Sequence, residues 1–236
     1  MWGTEPKTHK PIFPLIKDKI NKEFDPKNIT YVELNHISKG KPCFMLKNVL
    51  TPEECKLMIN ASESTGYQDA QEYCHMYRDR LNDRTMSDDD GFTDFIYNRV
   101  KSYLPKTLTI GFNNTLWDLD DLNTRWRYCR YVRGHYFGKH SDGRYTKTMS
   151  YQSHLTFMLY LNGPQDKSFA GGSTNFVDRM GKPKYEIVPE PGLALVFLQA
   201  DSDLLHEGAK LRDGTKYILR TDVMYKFRAP DRKPKK

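Results

Sequence analysis

The sequence lacks any long apolar run. Nowhere in its 236 residues are there the roughly 18 consecutive apolar residues that a membrane-spanning helix needs. The first 14 residues also lack the apolar segment of a secretory signal and contain Lys and His instead. We therefore expect a protein with no membrane contact.

Cysteine is scarce and scattered. The four cysteines, Cys43, Cys55, Cys74 and Cys129, form no CxxC pair and no dense framework, so they are predicted to be reduced thiols. A cytoplasmic or nuclear location is expected on that basis. Internal repeats and low-complexity segments are absent too, and the length suits one domain with a single core.

The charge balance is basic, with a net charge of +7 and a basic tail over residues 229–236. Such a balance permits an acidic partner, but a solvated surface with a frayed tail is the stronger interpretation. Nothing resembles a base-flipping pocket or an aromatic stacking platform, so nucleic acid is an unlikely substrate.

The first third of the chain contains helix signals. Residues 1–41 are polar and Lys-rich, and we interpret them as an N-terminal extension with one loosely attached helix near residues 16–24. A short strand at residues 42–46 then leads into Thr51-Pro52-Glu53-Glu54, which combines an N-cap, Pro at the first helical position and a capping-box Glu. A second helix is predicted over residues 90–103, stopped by Pro105.

The rest of the domain, residues 42–228, has a β core beginning at about residue 106. Residues 125–132 alternate, which places Arg127, Cys129 and Tyr131 on one face, and residues 154–161 alternate as well. Further strands are predicted at 185–188 and 193–198, with a final hairpin of 204–209 and 216–227. This pattern predicts a mainly β fold with flanking helices: a double-stranded β-helix (jelly-roll) core behind a helical buttress.

Three residues in this β region form a candidate metal site. His140 and Asp142 are two apart, so at a strand end both can face one ion, and His206 lies on a different late strand. Two imidazoles and one carboxylate form the facial triad typical of non-haem Fe(II) oxygenases, which leaves three positions open. A surface turn at 140–142 and a core histidine at 206 are the alternative interpretations.

A basic residue, Lys216, follows His206 by ten positions. A bidentate 2-oxo acid on the metal would bury a second carboxylate, and burying it unpaired would be costly. Lys216 is therefore the candidate anchor for 2-oxoglutarate, with an ordinary strand-edge Lys as the alternative.

Five segments in this order resemble the prolyl 4-hydroxylase-type Fe(II)/2-oxoglutarate-dependent dioxygenases. They are YVRGHYFGKHSD (131–142), TFMLYLN (156–162), GGSTNF (171–176), VPEPGLALVF (188–197) and the stretch from His206 to Lys216. The strand and helix at FMLKNVLTPEECKLMINAS (44–62) are similar to the start of that catalytic domain. The resemblance covers roughly residues 42–228.

The resemblance implies roles for individual residues. His140, Asp142 and His206 match the iron ligands, and Lys216 matches the residue that binds the distal carboxylate of 2-oxoglutarate. The remaining candidates for the co-substrate pocket are Tyr131, Tyr160, Thr156 and, as a reserve carboxylate partner, Arg220.

The implied activity is hydroxylation of a C–H bond with release of succinate and CO2. Fe(II), 2-oxoglutarate and O2 are the expected cofactors and co-substrates, with ascorbate as a helper. A prolyl residue of a peptide or protein is the leading substrate, but no peptide-binding signature is visible. Another residue, a free amino acid or a small metabolite remains an alternative, as does a jelly-roll binding module without turnover.

Two further polar segments, residues 74–86 and 88–90, could have either a functional or a structural role. The Arg-rich segment 74–86 corresponds to a mobile loop at the active-site mouth of relatives, so Arg78, Arg80 and Arg84 are candidates for substrate contact or for a solvated loop. The acidic run 88–90 suits a helix N-terminus better than a cation site.

Overall fold

A computed structural model describes residues 8–20, 23–70, 79–111 and 113–229 of the chain. Cys74 and Arg78, both named above, lie outside these residues. The helices are α1 (Asn35–Ser38), α2 (Pro52–Thr65) and α3 (Asp90–Val100). The strands are β1 (Thr8–His9), β2 (Thr30–Glu33), β3 (Cys43–Lys47), β4 (Gln68–Asp69), β5 (Arg80–Leu81), β6 (Asp83–Asp88), β7 (Thr107–Ile110), β8 (Thr115–Leu122), β9 (Arg125–Val132), β10 (Tyr136–His140), β11 (Thr146–Thr148), β12 (Tyr151–Tyr160), β13 (Phe169–Gly171), β14 (Thr174–Val177), β15 (Pro183–Ile187), β16 (Ala194–Leu198), β17 (His206–Gly208) and β18 (Leu211–Phe227).

Two sheets face each other across the functional part of the molecule. The major sheet runs in the order β1-β6-β9-β18-β12-β16-β3-β2, and the minor sheet in the order β15-β14-β17-β10-β5. Side chains from both sheets form one buried layer: Tyr160 and Phe197 come from the major sheet, Phe176 and Ile187 from the minor one. This arrangement confirms the predicted jelly-roll core.

Helices α2 and α3 pack on the other face of the major sheet. Phe92 of α3 meets Trp126 of β9 edge-on, with ring centroids 4.6 Å apart, and the Trp126 indole donates to the Thr93 hydroxyl. Leu155, Phe157 and Leu159 of β12 belong to the same core. The alternation predicted for β9 and β12 is therefore confirmed, because one face of each strand meets the helical buttress and the other meets the layer between the sheets.

Both main helices begin where the sequence predicts. Thr51 and Glu54 form the capping box at the start of α2, and Asp89 accepts a hydrogen bond from the Phe92 amide at the start of α3. Helix α3 ends at Val100, three residues earlier than predicted, because the chain tightens into a turn in which the Tyr103 amide donates to the Val100 carbonyl. None of the helices in the described ranges is long and apolar enough to cross a membrane.

The N-terminal residues are not loosely attached. Ile12, Ile16 and Ile20 are buried in the main core, and the segment consists of short 3-10 turns instead of the helix predicted near residues 16–24. Residues 30–33 also join the major sheet through β2, which pairs with β3. The prediction of a loosely attached helix was therefore wrong. The segment is polar overall, but three isoleucines spaced four residues apart anchor it in the core.

The predicted final hairpin was also wrong. Strand β17 pairs with β10 and β14 in the minor sheet, whereas β18 lies in the major sheet between β9 and β12. Residues 212–215, which would have joined the two strands of that hairpin, are part of β18. Gly214 lies there at φ +74°, where a Cβ atom would approach the Ser168 carbonyl oxygen to 2.1 Å, so glycine is required.

A buried ion pair joins the two main helices. Arg99 of α3 donates two hydrogen bonds to Glu54 of α2, at 2.7 and 2.8 Å, and a third to the Val49 carbonyl oxygen. Both side chains are at most 5% exposed.

Replacing Arg99 with methionine should lower the free energy of unfolding by about 3–5 kcal/mol, because the Glu54 carboxylate would be left buried and unpaired. Urea denaturation measures this effect. The control is Lys47→Met, which breaks the partly exposed pair Lys47–Glu190 and should cost less than about 1 kcal/mol. Equal losses in the two variants would contradict the prediction.

Candidate active site

The three predicted metal ligands meet between the two sheets. His140 ends β10, Asp142 follows it, and His206 begins β17, whose register places it directly opposite His140. The His140 Nε2 lies 3.6 Å from Asp142 Oδ1, and the His206 Nε2 lies 3.9 Å from Asp142 Oδ2. One ligand atom from each of the three residues lies within 4.8 Å of the others, so together they could hold a single metal ion.

Backbone carbonyl groups orient both imidazoles. The Nδ1 of His140 lies 2.8 Å from the Gly138 carbonyl oxygen, and the Nδ1 of His206 lies 3.1 Å from the Leu204 carbonyl oxygen. Because a carbonyl oxygen only accepts, each Nδ1 carries the proton and each Nε2 presents its lone pair to the space beside Asp142. Burial, together with the nearby His140, lowers the pKa of His206 to about 4, so the ring is neutral and able to ligate.

Asp142 is buried yet ionised. Burial by itself would raise the pKa of its carboxyl group, but Arg220 and the two histidines hold that pKa well below the ordinary value. The Arg220 guanidinium lies 2.9 Å from Oδ1, and the Thr156 hydroxyl donates to Oδ2 at 2.7 Å. The site therefore offers two neutral nitrogens and one fixed anionic oxygen ligand, a set that fits Fe(II).

Thr156 is the last link of a buried chain of hydrogen bonds. Its hydroxyl accepts from Gln199, which also donates to Asp222 at 2.8 Å, and Asp222 in turn accepts from Arg127 at 3.1 Å. This chain fixes the rotamer of the Thr156 hydroxyl, and with it the orientation of the Asp142 carboxylate.

Replacing Thr156 with valine should weaken Fe(II) binding by about 10–100-fold, the usual effect of losing a hydrogen bond to a metal ligand. Equilibrium dialysis of the purified variant measures the change. Thr156→Ser keeps the hydroxyl and should stay within about threefold of the parent protein. Equal Fe(II) affinity in the valine variant would show that the hydroxyl does not orient Asp142.

An inner cavity connects this ligand cluster to Lys216. Its wall includes the three ligands, Lys216, Tyr131 and Thr174, with apolar contributions from Met158 and Ile218. Lys216 is buried, and its Nζ donates to the Gly172 carbonyl oxygen at 2.5 Å. Burial lowers the pKa of this ammonium group to about 7.

Gly172 is needed for this geometry. Its φ is +69°, and a Cβ atom there would lie 2.5 Å from a Leu211 methyl carbon and 3.3 Å from the Lys216 Cδ. Only glycine therefore allows the backbone to approach the lysine so closely. Gly172 belongs to the segment GGSTNF (171–176) and lies just before β14.

The other predicted pocket residues occupy different positions. Tyr131 lines the inner cavity, whereas Thr156 and Tyr160 are not among its lining residues. Thr156 contacts Asp142 as described, and the Tyr160 hydroxyl donates to the Thr174 hydroxyl at 2.7 Å, behind the cavity wall. Arg220 contacts Asp142 and lies 4.0 Å from Asp222, on the metal side of the cavity. Contacts of these four side chains with 2-oxoglutarate stay predictions.

An outer cavity of about 310 Å³ continues from the inner one. The two share His140, Asp142, Phe137 and several arginines, and the outer cavity adds residues 141 and 143–145 and Asp222. The Phe137 ring stacks on His140 with centroids 3.6 Å apart, and the Arg80 guanidinium covers its other face at 4.3 Å. Sequence reasoning missed Phe137, Gln199 and Asp222; only Asp222, two residues beyond Arg220 on the same strand face, has a signal that could have found it.

Residues 126–221 match the family model described as 2OG-Fe(II) oxygenase superfamily. The matched region contains all three ligands and Lys216. No curated protein matches the chain.

Solved structures of prolyl hydroxylases have a similar fold. The viral collagen prolyl hydroxylase of Paramecium Bursaria Chlorella virus-1, in complex with 2OG, has a TM-score of 0.56 and 23% identity, over 80% of this chain and 98% of that one. A Pseudomonas putida prolyl-4-hydroxylase has a TM-score of 0.52 and 14% identity, over 82% and 97%. A Trichoplax adhaerens prolyl hydroxylase, in complex with a hypoxia inducible factor peptide fragment, has a TM-score of 0.57 and 16% identity, over 81% and 86%.

At these identities the structural matches establish the fold. The family model over residues 126–221 and the His-Asp-His cluster together support the chemistry of a 2-oxoglutarate-dependent dioxygenase.

Proposed function

We propose that this 2-oxoglutarate-dependent dioxygenase hydroxylates a prolyl residue of a peptide or protein. The main support for dioxygenase activity is that the buried Lys216 and the His140–Asp142–His206 cluster line the same cavity. The prolyl part is supported by the fold shared with prolyl hydroxylases, one of which holds a peptide fragment.

Lys216 anchors the co-substrate in this proposal. Its ammonium group has a backbone carbonyl partner but no carboxylate partner among the described residues, and burial disfavours its charge. An incoming carboxylate would supply the missing counter-ion in a low-dielectric cavity, where such a pair is strong. Tyr131 and Thr174, which line the same space, would contact the intervening carbon chain.

Fe(II) would be held by His140, Asp142 and His206, and together with 2-oxoglutarate it supplies the chemistry that activates O2 for attack on a C–H bond. Arg220 offsets the negative charge of Asp142, and the two backbone carbonyls hold the imidazole rings in their ligating tautomer. Met158 and Ile218 exclude water from the inner cavity. The ascorbate requirement implied by the sequence belongs to the same proposal.

The outer cavity provides the place for the substrate. It reaches the ligand cluster from outside, and the exposed residues Gly143, Arg144 and Tyr145 lie at its rim. Its volume of about 310 Å³ can admit an amino-acid side chain. The target C–H bond would thus approach the metal from the side opposite to Lys216.

The test is succinate release with Fe(II), 2-oxoglutarate and ascorbate, measured over a panel of proline-containing peptides, matched alanine peptides, free amino acids and oligonucleotides. We expect turnover above the uncoupled background only with proline peptides, and a mass increase of one oxygen on the proline. His206→Ala should abolish both signals.

Turnover with another member of the panel, and none with proline peptides, would overturn the prolyl substrate while keeping the dioxygenase activity. Absence of 2-oxoglutarate-dependent succinate release in every condition, with Fe(II) bound, would contradict the role of Lys216 as well.

A further inference from the structure

The outer cavity is rich in arginine. The described residues of its wall include Arg80, Arg84, Arg127, Arg144 and Arg220, and two carboxylates, Asp142 and Asp222. Both carboxylates already have guanidinium partners: Arg220 contacts Asp142 at 2.9 Å, and Arg127 contacts Asp222 at 3.1 Å. Among the described residues of this wall, arginines therefore outnumber carboxylates.

Arg84 is the unbalanced group nearest the interior. It lies on β6, opposite Cys129 of β9, and it lines both the inner and the outer cavity. The side chain is only 9% exposed, yet its Nε has no hydrogen-bond partner, and no ion pair connects it to an acidic residue in the described part of the chain. A buried guanidinium without an anion is costly, so a fold gains nothing from it unless a ligand supplies the anion.

Neighbouring arginines increase this cost. Burial lowers the pKa of Arg80, and the charge of Arg84 lowers it further. Burial also lowers the pKa of Arg127. Asp222 raises that pKa, but the charges of Arg220 and Arg84 lower it. The guanidinium groups thus repel one another within the cavity wall. An anion placed between them would remove this repulsion.

The co-substrate is not that anion. 2-Oxoglutarate has two carboxylates, of which one would bind at the metal and the other at Lys216, within the inner cavity. Arg84 and Arg144 line the outer cavity, where the primary substrate would enter. The excess charge therefore points to a carboxylate of the substrate.

We propose that Arg84, supported by Arg144, binds the side-chain carboxylate of an aspartate or glutamate that flanks the hydroxylated residue of the substrate peptide. Arg84 has the geometry for a bidentate contact with a planar carboxylate, and its burial makes that contact strong. The inference rests on the proposed function in one respect, that the substrate is a peptide. It specifies an acidic peptide.

Binding and turnover are measured with one set of labelled peptides, capped at both ends. A single glutamate is moved through three positions on either side of the proline, and each peptide is compared with its glutamine counterpart by fluorescence anisotropy. We expect glutamate to tighten binding at one or two positions by about 10-fold or more. The gain should shrink as salt rises from about 50 to about 500 mM.

Variants assign the effect to Arg84. Arg84→Gln should remove the preference for glutamate, Arg84→Lys should keep part of it, and Arg133→Gln should leave it unchanged, since Arg133 is exposed and lines neither cavity. The melting temperature of Arg84→Gln should equal or exceed that of the parent, because the variant removes a buried charge without a partner. A lower melting temperature would indicate a structural role and would overturn the proposal.

The outcomes separate this inference from the prolyl assignment. Equal binding and hydroxylation of glutamate and glutamine peptides would overturn the acidic site while sparing prolyl hydroxylation. A glutamate preference in binding, with no hydroxylation of any proline peptide, would keep the acidic site and overturn the prolyl target. Tighter binding of uncapped peptides alone would assign the arginines to a terminal carboxylate, and binding of an oligonucleotide without any peptide would overturn the proposal.

Discussion

The His206→Ala variant should lose 2-oxoglutarate-dependent succinate release completely and bind Fe(II) more than about 100-fold more weakly than the parent, beyond the usual effect of losing an outer-shell partner. His206 is neutral, buried and oriented by the Leu204 carbonyl oxygen, so its Nε2 is available to the ion without loss of a proton. Alanine leaves only His140 and Asp142, and no other described residue in the cluster can replace the missing nitrogen.

Equilibrium dialysis measures the loss of iron, and the visible band that Fe(II) and 2-oxoglutarate produce together under anaerobic conditions should vanish with it. His36→Ala serves as the control, because His36 is an exposed histidine whose recorded ring contact is with Tyr185, away from both cavities. Normal iron binding in His206→Ala would exclude this residue as a ligand.

Replacing Lys216 with methionine should raise the KM for 2-oxoglutarate by about 100–1000-fold, since the distal carboxylate would be buried without its partner, at a cost of about 3–4 kcal/mol. Fe(II) binding should change little, because Lys216 forms no contact with the three ligands. Lys210→Met is the matched control: Lys210 is exposed and lines neither cavity. An unchanged KM in Lys216→Met would assign the carboxylate to another residue, with Arg220 the first candidate.

The pKa of Lys216 adds a pH signature. Burial lowers this pKa from 10.5 to about 7 in the protein without co-substrate. Only the ammonium form pairs with a carboxylate, so the dissociation constant of 2-oxoglutarate should rise as the pH increases above about 7, and binding at higher pH should take up a proton. Isothermal titration calorimetry in buffers of different ionisation enthalpy measures this uptake. It should disappear in Lys216→Met.

Much of the site follows from local sequence. Alternation over residues 125–132 and 154–161 predicts which side chains face the layer between the sheets, because side chains in a strand point to opposite faces in turn. The capping box at Thr51 and Glu54 predicts the start of α2, since those residues satisfy the first free amides. His140, Asp142 and His206 are predictable as a set because Fe(II) oxygenase chemistry requires that combination of ligands.

Other features depend on contacts between distant residues. The chain alone does not show that β17 and β18 lie in different sheets, because both sheets need strands of the same period. Nor does it show that Arg99 would pair with Glu54, or that three isoleucines before residue 21 would enter the main core. These outcomes depend on which surfaces meet after the sheets form.

By itself, the sequence determined the strand faces, the start of α2 and the identity of the metal ligands, since each of these depends on neighbours a few residues apart or on ligand chemistry. Only the tertiary structure decided which charges have partners. It pairs Arg220 with Asp142 and Arg127 with Asp222. Within the described ranges it gives Lys216 a backbone carbonyl but no carboxylate, and it leaves the Arg84 Nε without a hydrogen bond. The physical reason is that a charge is satisfied by proximity in space, and residues from strands far apart in the chain surround each of these side chains.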